Sequence, residues 1–430
     1  MICVKCYSKV EADSCENMEC LSEVYNLFAV FDTPANVIFV DQFIANINKY
    51  KDIFKRYFSS ENIFFSCKCN KSKALLNNVA NQKCGIEVSS NYELIEAIKY
   101  TKKIIASGPA KNDEYIENAI HNNAIISVDD IEELKSIKKI NKSVKVFLRI
   151  SNLLGNVSRF GINVSQIDEC LRIISKSLIQ LEGFSFHLNN YSLNDRVKAI
   201  KELIELIKEK NIKIKYIDIG GGIPTNYCSK EDYINFINSN NENMYFNHHF
   251  IKDYYPYYSE MADETALDYI LKNVYTELNK MGVEIIIEPG RSLLKNAGMS
   301  IYEVQYLKHL YNGEYVVVTN GNINCLSEQW FNSDFLIEPK LFLKIPRKKK
   351  EIYASVAGNL CLEQDMLTWR KIKFEYTPKK GDLLVYYNTA GYQMDSNESE
   401  FHRIPLVKKF IVERIEDKYV IMEDEKYDCK

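Results

Sequence analysis

The sequence predicts an α/β protein in which a (β/α)8 TIM-type barrel is joined to a second, mainly β domain. Three observations lead to this prediction. Between residues 62 and 290, eight short apolar runs of strand length alternate with amphipathic stretches of helix length. The chain has 430 residues, which is enough for one large barrel and a smaller partner. After about residue 294, strand-like runs separated by turns continue while helical patterns become rare.

The barrel prediction depends on the number and order of the apolar runs. The eight predicted strands lie at residues 62–68, 85–90, 104–107, 124–128, 145–150, 183–188, 216–220 and 284–288. Segments with helical periodicity lie between them, including 92–101, 131–140 and 197–210. A count of eight favours closure into a barrel over the structural alternative, an open doubly wound sheet.

The second domain is predicted from runs at both ends of the chain. Strand-like runs lie at 314–319, 341–345, 352–356, 383–387 and 410–412. The stretch 27–43 is also β-like, and we expect it to pair with this domain. The predicted domains are residues 1–45 as an N-terminal segment that joins the β domain, 46–296 as the barrel and 297–430 as the C-terminal β domain.

Composition excludes several classes of function. Lys plus Arg is 55 against 58 for Asp plus Glu, so no basic surface for nucleic acid or an anionic membrane is expected. No apolar run approaches ~18 residues, and the N-terminus lacks the order of a signal peptide. The twelve cysteines therefore indicate reduced thiols and a cytoplasmic protein. Cys3, Cys6, Cys15 and Cys20 are too loosely spaced to predict zinc, and no metal is expected.

Chemistry-bearing residues stand where barrel enzymes place their active sites, at the carboxyl ends of the strands. Lys68 ends the first predicted strand, His187 lies at the end of the sixth, and Glu288 ends the eighth. The seventh strand ends in Gly220-Gly221-Gly222, and Gly290-Arg291 follows Glu288. Because glycine lets backbone N–H groups approach an anion, these two loops predict a phosphate ligand, with a tight turn as the alternative.

Each of these residues also has a plain structural interpretation. Lys68 alone could be a surface lysine, although desolvation would lower its pKa and make it a nucleophile toward an aldehyde. Glu288 could pair with Arg291 or bind a protonated heterocyclic nitrogen, and His187 could be a core histidine. The aromatic stretch 243–259 is interpreted as a packed loop or subunit contact in preference to a wall of the substrate pocket.

Together these residues resemble the fold-type III pyridoxal-phosphate enzymes, the alanine-racemase-like barrels, from about Phe31 to Lys409. The closest resemblance is to their decarboxylase branch, which includes diaminopimelate and ornithine decarboxylases. The motifs that carry it are Ser66-Cys67-Lys68-Cys69-Asn70, Gly85 to Ser90 with Glu93, Arg159-Phe160-Gly161, Phe186-His187, Asp218 to Gly222, Glu288-Pro289-Gly290-Arg291, Gly358 to Cys361 with Asp365, and Ala390-Gly391-Tyr392.

The resemblance implies pyridoxal 5'-phosphate as cofactor and a role for each matching residue. Lys68 would form the Schiff base, His187 would stack on the ring, and an anionic Glu288 would face the pyridine nitrogen. The phosphate would be held by Gly220, Gly221, Gly222, Gly290, Arg291 and Tyr392. Cys361 would help to deliver a proton, and Arg159, Glu363 and Asp365 would bind the amino-acid substrate. Homodimers with shared active sites are expected.

Some positions depart from the family pattern. His187-Leu188-Asn189-Asn190 replaces H-V-G-S, which alters the phosphate contact expected of the serine. Glu363 is displaced by one position, which weakens the case for diaminopimelate itself. The stretch 388–405 looks more like a subgroup that acts on unusual or conjugated amino acids in specialised biosynthesis.

The predicted function is decarboxylation of an amino acid or amino-acid conjugate. The substrate would be diaminopimelate- or ornithine-like, or a specialised-metabolite intermediate. Racemases of this fold place an arginine at the pyridine nitrogen, so a glutamate there favours decarboxylation. An amino-acid racemase and a non-catalytic pyridoxal-phosphate-binding protein are the alternatives.

Overall fold

The computed structural model describes residues 25–427 apart from residues 27, 156, 253–254, 329–337 and 417. The N-terminal cysteines at positions 3, 6, 15 and 20 lie outside this range. Within it, the first strand is β1 (Ala35–Phe39), which is followed directly by the helix Val40–Tyr57. The β-like interpretation of residues 27–43 is therefore correct only for β1. Apolar residues recur at helical spacing from Val40 onward, and the helix buries that face, so the predicted boundary at residue 45 falls inside it.

The eight predicted barrel strands all form. They are β2 (Phe64–Ser66), β3 (Gly85–Val88), β4 (Ile104–Ala106), β5 (Ile125–Val128), β6 (Val144–Arg149), β7 (Ile179–Ser185), β8 (Tyr216–Asp218) and β9 (Glu284–Ile286). Neighbours pair in parallel in sequence order. The Phe64 N–H donates to the Ile287 carbonyl at 2.9 Å, and this contact joins the last strand to the first. The sheet is closed, which excludes the open doubly wound alternative.

Helices cover the outside of the barrel. They span Val40–Tyr57, Lys73–Asn81, Asn91–Ala97, Asp113–His121, Ile131–Ile140, Ile167–Ser175, Leu193–Glu209 and Asp263–Met281, and a short helix, Arg291–Leu294, follows β9. A further helix, Lys230–Ser239, has no buried residue, and its Phe236 contacts Arg370 of the β domain. The predicted segment 131–140 matches its helix at both ends. Among the described residues, none of the helices combines the length and apolar character that a bilayer crossing requires.

The barrel interior is filled by an apolar layer that lies beneath the polar rim. Phe64, Ile105, Phe147 and Ile286 pack together there, with Ile125 and Tyr216 against them. Side chains two residues apart on a strand share a face. The positions two residues farther along these strands are Ser66, Ser107, Arg149, Glu288, Ser127 and Asp218. Strand alternation therefore explains why this apolar layer is followed by a layer of polar side chains, two of which, Ser66 and Glu288, line a cavity.

The β domain is one mixed sheet that includes the first strand of the chain. Its later strands are β10 (Gly298–His309), β11 (Tyr315–Thr319), β12 (Lys340–Phe342), β13 (Ile352–Ala357), β14 (Met366–Phe374), β15 (Leu383–Tyr387), β16 (Lys408–Ile415) and β17 (Lys418–Glu423). β1 lies between β10, to which it is antiparallel, and β16, to which it is parallel. The predicted pairing of the N-terminal strand with the C-terminal domain is confirmed.

Candidate active site

A cavity opens at the carboxyl ends of the barrel strands, where the sequence predicts the site. Its lining residues come from the loops after β2, β7, β8 and β9 and from the β domain. They are Ser66, Lys68, His187 to Tyr191, Gly221 to Ile223, Glu288 to Ser292 and Tyr392. Apart from Gly220, every residue predicted to bind the cofactor lines this one cavity.

Lys68 is held in the cavity by contacts from two domains. It lies in a single 3-10 turn, Cys67–Cys69, after β2 rather than within the strand. The turn is tied to the β domain because the Tyr392 N–H donates to the Cys69 carbonyl at 2.7 Å and the Asn70 amide donates to the Ala390 carbonyl at 2.9 Å. The side chain of Lys68 is 46% exposed, and it faces the cavity. The amine is therefore accessible to a ligand while its backbone is fixed.

The charge state of Lys68 differs from the sequence prediction. Its Nζ lies 3.0 Å from Oε2 of Glu87. Burial lowers the pKa of Lys68 as expected, but Glu87, with Tyr392 and Glu288, outweighs burial and holds the pKa above its usual value. The prediction of a lowered pKa was wrong because it counted desolvation without this neighbouring carboxylate.

Glu87 is a partner of Lys68 to which the sequence analysis, although it included this residue in the Gly85 to Ser90 motif, gave no role. It is 1% exposed, and its carboxylate accepts hydrogen bonds from Ser66 Oγ at 2.6 Å, Lys68 Nζ at 3.0 Å and Ser89 Oγ at 3.0 Å. Burial raises its pKa, but Lys68 and the hydroxyl donors outweigh burial, so the carboxyl stays ionised. A charged residue inside the apolar run of β3 was the available signal, because buried carboxylates need partners.

The glycine triplet forms an open cradle of backbone amides. Gly220 and Gly222 adopt φ values of +66° and +70°, and a Cβ at Gly221 would lie 2.7 Å from the Glu288 carbonyl oxygen. In the described chain, the N–H groups of Gly221, Gly222 and Ile223 have no acceptor. Unpaired amides on a loop without Cβ atoms fit a phosphate group.

Arg291 supplies positive charge beside this cradle. Its guanidinium lies 4.6 Å from the ring centre of Tyr255 and 4.4 Å from that of Tyr392. No carboxylate among the described residues pairs with it, so the interpretation of Glu288 as its partner was wrong. Gly290 is required because a Cβ there would lie 1.8 Å from Sγ of Cys69. The cation is therefore held between two aromatic rings and left without a charged partner of its own.

Glu288 instead shares a hydrogen bond with Asp218, whose Oδ1 also accepts from the Gly220 N–H at 2.9 Å. Burial raises the pKa of Asp218 to about 7, and burial together with Asp218 raises that of Glu288 well above its usual value. The expectation of a fully anionic Glu288 was wrong for the chain by itself. Two adjacent buried carboxyls retain a proton between them, because both cannot ionise at once.

His187 presents a neutral ring to the cavity. Its Cδ2 would lie 2.9 Å from a Cβ at Gly220, so the glycine leaves room for the imidazole. Loss of hydration inside the cavity, with Arg196 and Lys68 as further causes, lowers the pKa of His187 to about 3. A neutral aromatic ring beside Lys68 is suited to stacking on a flat heterocycle.

The predicted substrate residues do not line this cavity. Arg159 is exposed, and its guanidinium lies 3.8 Å from the ring centre of Phe160. Cys361 and Glu363 are exposed on the β domain. Asp365 is buried, and its two oxygens accept from the backbone N–H groups of Ile323 at 2.7 Å and Leu360 at 2.6 Å. Within one chain, Asp365 thus fixes the loop that carries Cys361.

The described residues from 244 to 251 in the aromatic stretch 243–259 pack against the β domain. Tyr245 and Ile251 form a cluster with Met366 and Trp369, which agrees with the favoured interpretation as a packed loop. Tyr255 reaches farther, since it contacts both Arg291 and Tyr191, whose ring centre lies 4.9 Å from its own. Through Tyr255, the stretch therefore packs against Arg291 and Tyr191, which line the cavity.

Comparisons with known proteins agree with this geometry. A family model described as pyridoxal-dependent decarboxylase, pyridoxal binding domain, matches residues 41–295. The "Uncharacterized protein y4yA" of Sinorhizobium fredii is 31% identical over 411 residues, covering 90% of this chain and 88% of that protein. The 2-[(L-alanin-3-ylcarbamoyl)methyl]-2-hydroxybutanedioate decarboxylase of Staphylococcus aureus is 23% identical over 370 residues, covering 79% and 84%.

Solved structures share the two-domain architecture. The diaminopimelate decarboxylase from M. jannaschii in complex with L-lysine superimposes with a TM-score of 0.74 at 21% identity, over 93% of this chain and 91% of that one. The amide cradle, the unpaired Arg291 cation and the Lys68 amine fit the phosphate and aldehyde of pyridoxal phosphate. The chain belongs to the pyridoxal-dependent decarboxylase family, which confirms the predicted cofactor and carboxy-lyase class and disfavours the racemase and non-catalytic alternatives.

Proposed function

We propose that Lys68 binds pyridoxal 5'-phosphate covalently and that the protein removes the α-carboxylate of an amino acid or amino-acid conjugate. One observation carries this assignment of roles. The Lys68 amine, the Glu288 carboxyl and the amide cradle of Gly221 and Gly222 line a single cavity. These are the groups needed at the aldehyde, the ring nitrogen and the phosphate of that cofactor.

Pyridoxal phosphate, when bound, supplies an electron-withdrawing ring that accepts the electron pair of the bond between Cα and the departing carboxylate. Glu87 holds the Lys68 ammonium whenever the amine is released. Burial raises the pKa of both Asp218 and Glu288, and the charge of Asp218 raises that of Glu288 further, so this pair of carboxyls, which would face the ring nitrogen, retains a proton. His187, which lines the cavity, would cover one face of the ring.

We assign a polar, extended substrate to this site. Asn189 and Asn190 line the cavity where the family pattern has glycine and serine, and Tyr191 lines it beside them. Next to them, a small adjoining cavity has the polar side chains of Arg149, Ser151, Asn152 and Ser158 in its lining, beside apolar residues that include Leu153 and Phe160. The polar side chains suit a substrate with hydrogen-bonding groups beyond its α-carbon. The S. aureus relative, whose name describes an amino-acid conjugate, supports the same substrate class.

The active unit in this proposal is a cytoplasmic homodimer. Cys361 is exposed, and Leu362 beside it is 44% exposed, so this loop is available to a second copy. Cys361, Glu363 and Asp365 would then complete the partner's cavity, with Cys361 delivering the proton to Cα. Arg159, also exposed, is assigned to substrate binding. The described cysteines are free thiols, which supports a reducing compartment.

The test compares wild-type protein with Lys68→Ala and, as a control, Lys99→Ala at an exposed position in the turn after the helix Asn91–Ala97. Wild type and the control should show the visible absorbance of lysine-bound pyridoxal phosphate, and Lys68→Ala should lose it. Carbon dioxide release from a panel of free and conjugated amino acids then identifies the substrate. Unchanged absorbance in Lys68→Ala would refute the assignment. Inverted substrate without carbon dioxide release would indicate racemisation.

A further inference from the structure

Arg196 is a completely buried arginine that lies directly beneath the glycine loop. It belongs to the helix Leu193–Glu209 and is 0% exposed. Its Nη1 donates to the Ile219 carbonyl at 2.5 Å, and its Nη2 donates to the Gly222 carbonyl at 3.3 Å. The buried Nε has no hydrogen-bond partner. The guanidinium therefore binds the glycine loop at both of its ends, Ile219 and Gly222.

This cation has no counter-charge in the described part of the chain. No carboxylate contributes to the pKa of Arg196, and burial lowers that pKa to about 10. A buried charge that is held only by carbonyl dipoles is unfavourable unless an anion compensates it. Gly222 lines the cavity, and a Cβ at Gly222 would lie 2.7 Å from Nη2 of Arg196. Only the glycine loop therefore separates the guanidinium from the cavity. An anion on the cavity side of the loop would supply the compensation.

The peptide geometry shows how the charge reaches the cavity. In a trans peptide the N–H points away from the C=O. Arg196 binds the Gly222 carbonyl, so the Ile223 N–H of the same peptide points the opposite way, and Ile223 lines the cavity without an acceptor for this group. Arg196 likewise binds the Ile219 carbonyl, and the Gly220 N–H of that peptide donates to Asp218. A charged donor on the carbonyl side polarises each peptide and strengthens its N–H as a donor.

We propose that Arg196 is a positioning residue that orients the glycine loop and provides the counter-charge for the cofactor phosphate. The inference rests on the proposed function, because that phosphate is the anion concerned. It also accounts for a departure in this sequence. Asn190 stands where the family pattern has a serine, and its side chain is engaged with Asp195 and the Ser192 N–H. The buried Arg196 cation, on the side of the loop away from the cavity, would take the place of the serine hydroxyl that the family pattern has on the cavity side.

The test measures how strongly the site prefers a phosphorylated ligand. Full-length apoprotein is titrated with pyridoxal 5'-phosphate and with pyridoxal, which lacks the phosphate, and the ratio of the two dissociation constants is compared among variants. Arg196→Gln keeps a hydrogen-bond donor and removes the charge, so the preference should fall roughly tenfold or more. Arg196→Lys keeps the charge and replaces the two separate Nη donors by one ammonium, so the preference should be largely retained even where both affinities fall.

The controls separate charge from folding. Arg172→Gln, on an exposed helix position, should leave both constants unchanged. Equal weakening of both ligands in Arg196→Gln would overturn the proposal, because it would show loop support alone. If Arg196→Gln does not fold, Arg196→Lys provides the test. Loss of the preference for pyridoxal 5'-phosphate over pyridoxal in Arg196→Lys would also overturn the proposal. A wild-type protein that binds neither ligand would instead refute the proposed function itself.

Discussion

The Nζ of Lys68 lies 3.0 Å from Oε2 of Glu87, and this ion pair controls the charge of the amine assigned to cofactor binding. The two residues stand at the ends of neighbouring strands β2 and β3, where parallel pairing aligns Ser66 with Glu87. Glu87 also accepts from Ser66 and Ser89, so its position is fixed from three directions.

Glu87→Gln should shift cofactor attachment to lower pH. Glu87 is the main cause that raises the pKa of Lys68, whereas burial lowers it, so removal of the carboxylate should lower that pKa. The neutral amine, which is the form that attacks an aldehyde, would then be populated at lower pH. The measurement is the pH dependence of visible absorbance when apoprotein is mixed with pyridoxal phosphate. Glu132→Gln, at a 75% exposed position, is the control, and an unshifted midpoint in Glu87→Gln would contradict this prediction.

Asp218→Asn should change how the stability of the apoprotein depends on pH. The folded-state pKa of Asp218 is raised from 3.8 to about 7, so the folded chain binds more protons than the unfolded chain between those values. Stability must therefore fall as pH rises through that window, by at most about 1.4 kcal/mol per pH unit for one proton. Asn can still accept from Gly220 and donate to Glu288. Urea unfolding at pH 5 and pH 7.5 should show a smaller loss in the variant, and equal losses would argue against a shared proton.

His187→Phe should make the apoprotein more tolerant of mild acid. The pKa of His187 is lowered from 6.5 to about 3, so below about pH 6.5 the unfolded chain takes up a proton that the folded chain does not. Stability from this residue is therefore present above pH 6.5 and lost as pH falls. Phe keeps the flat ring and removes the titration. Urea midpoints at pH 7 and pH 5 test this, with His121→Phe at an exposed position as control. An equal change in urea midpoint between pH 7 and pH 5 in wild type and His187→Phe would count against this prediction.

Mixing Lys68→Ala with Cys361→Ala should restore activity if each cavity is built from two subunits. Each variant alone lacks one essential group in every site. A mixed dimer has one site in which both groups are intact, so random exchange should restore roughly a quarter of wild-type activity. Carbon dioxide release after co-refolding or subunit exchange is the measurement. Activity that stays at the level of the separate variants would place Cys361 outside the partner's site.

The fold and most of the cofactor site follow from local sequence. The strands β2 to β9 are recognisable because each is a short apolar run between helical segments. The fold then places their carboxyl ends together, so Lys68, His187 and Glu288 could be assigned to one cavity before any distance was known. The glycine triplet was equally clear, because few residues other than glycine allow this backbone. By contrast, the helix at Val40 was mistaken for strand, since its first residues continue an apolar run from β1.

The sequence by itself determined which of the predicted cofactor residues line one cavity, and the tertiary structure decided their charge states and supports. Glu87, Asp218 and Arg196 act through partners that are 19, 70 and 26 residues away in the chain, on other elements. Desolvation and charge interactions shift a pKa in opposite directions for Lys68, and the outcome depends on a single distance to a carboxylate. Local patterns record residue type and burial, whereas such distances exist only after the strands have closed into the barrel.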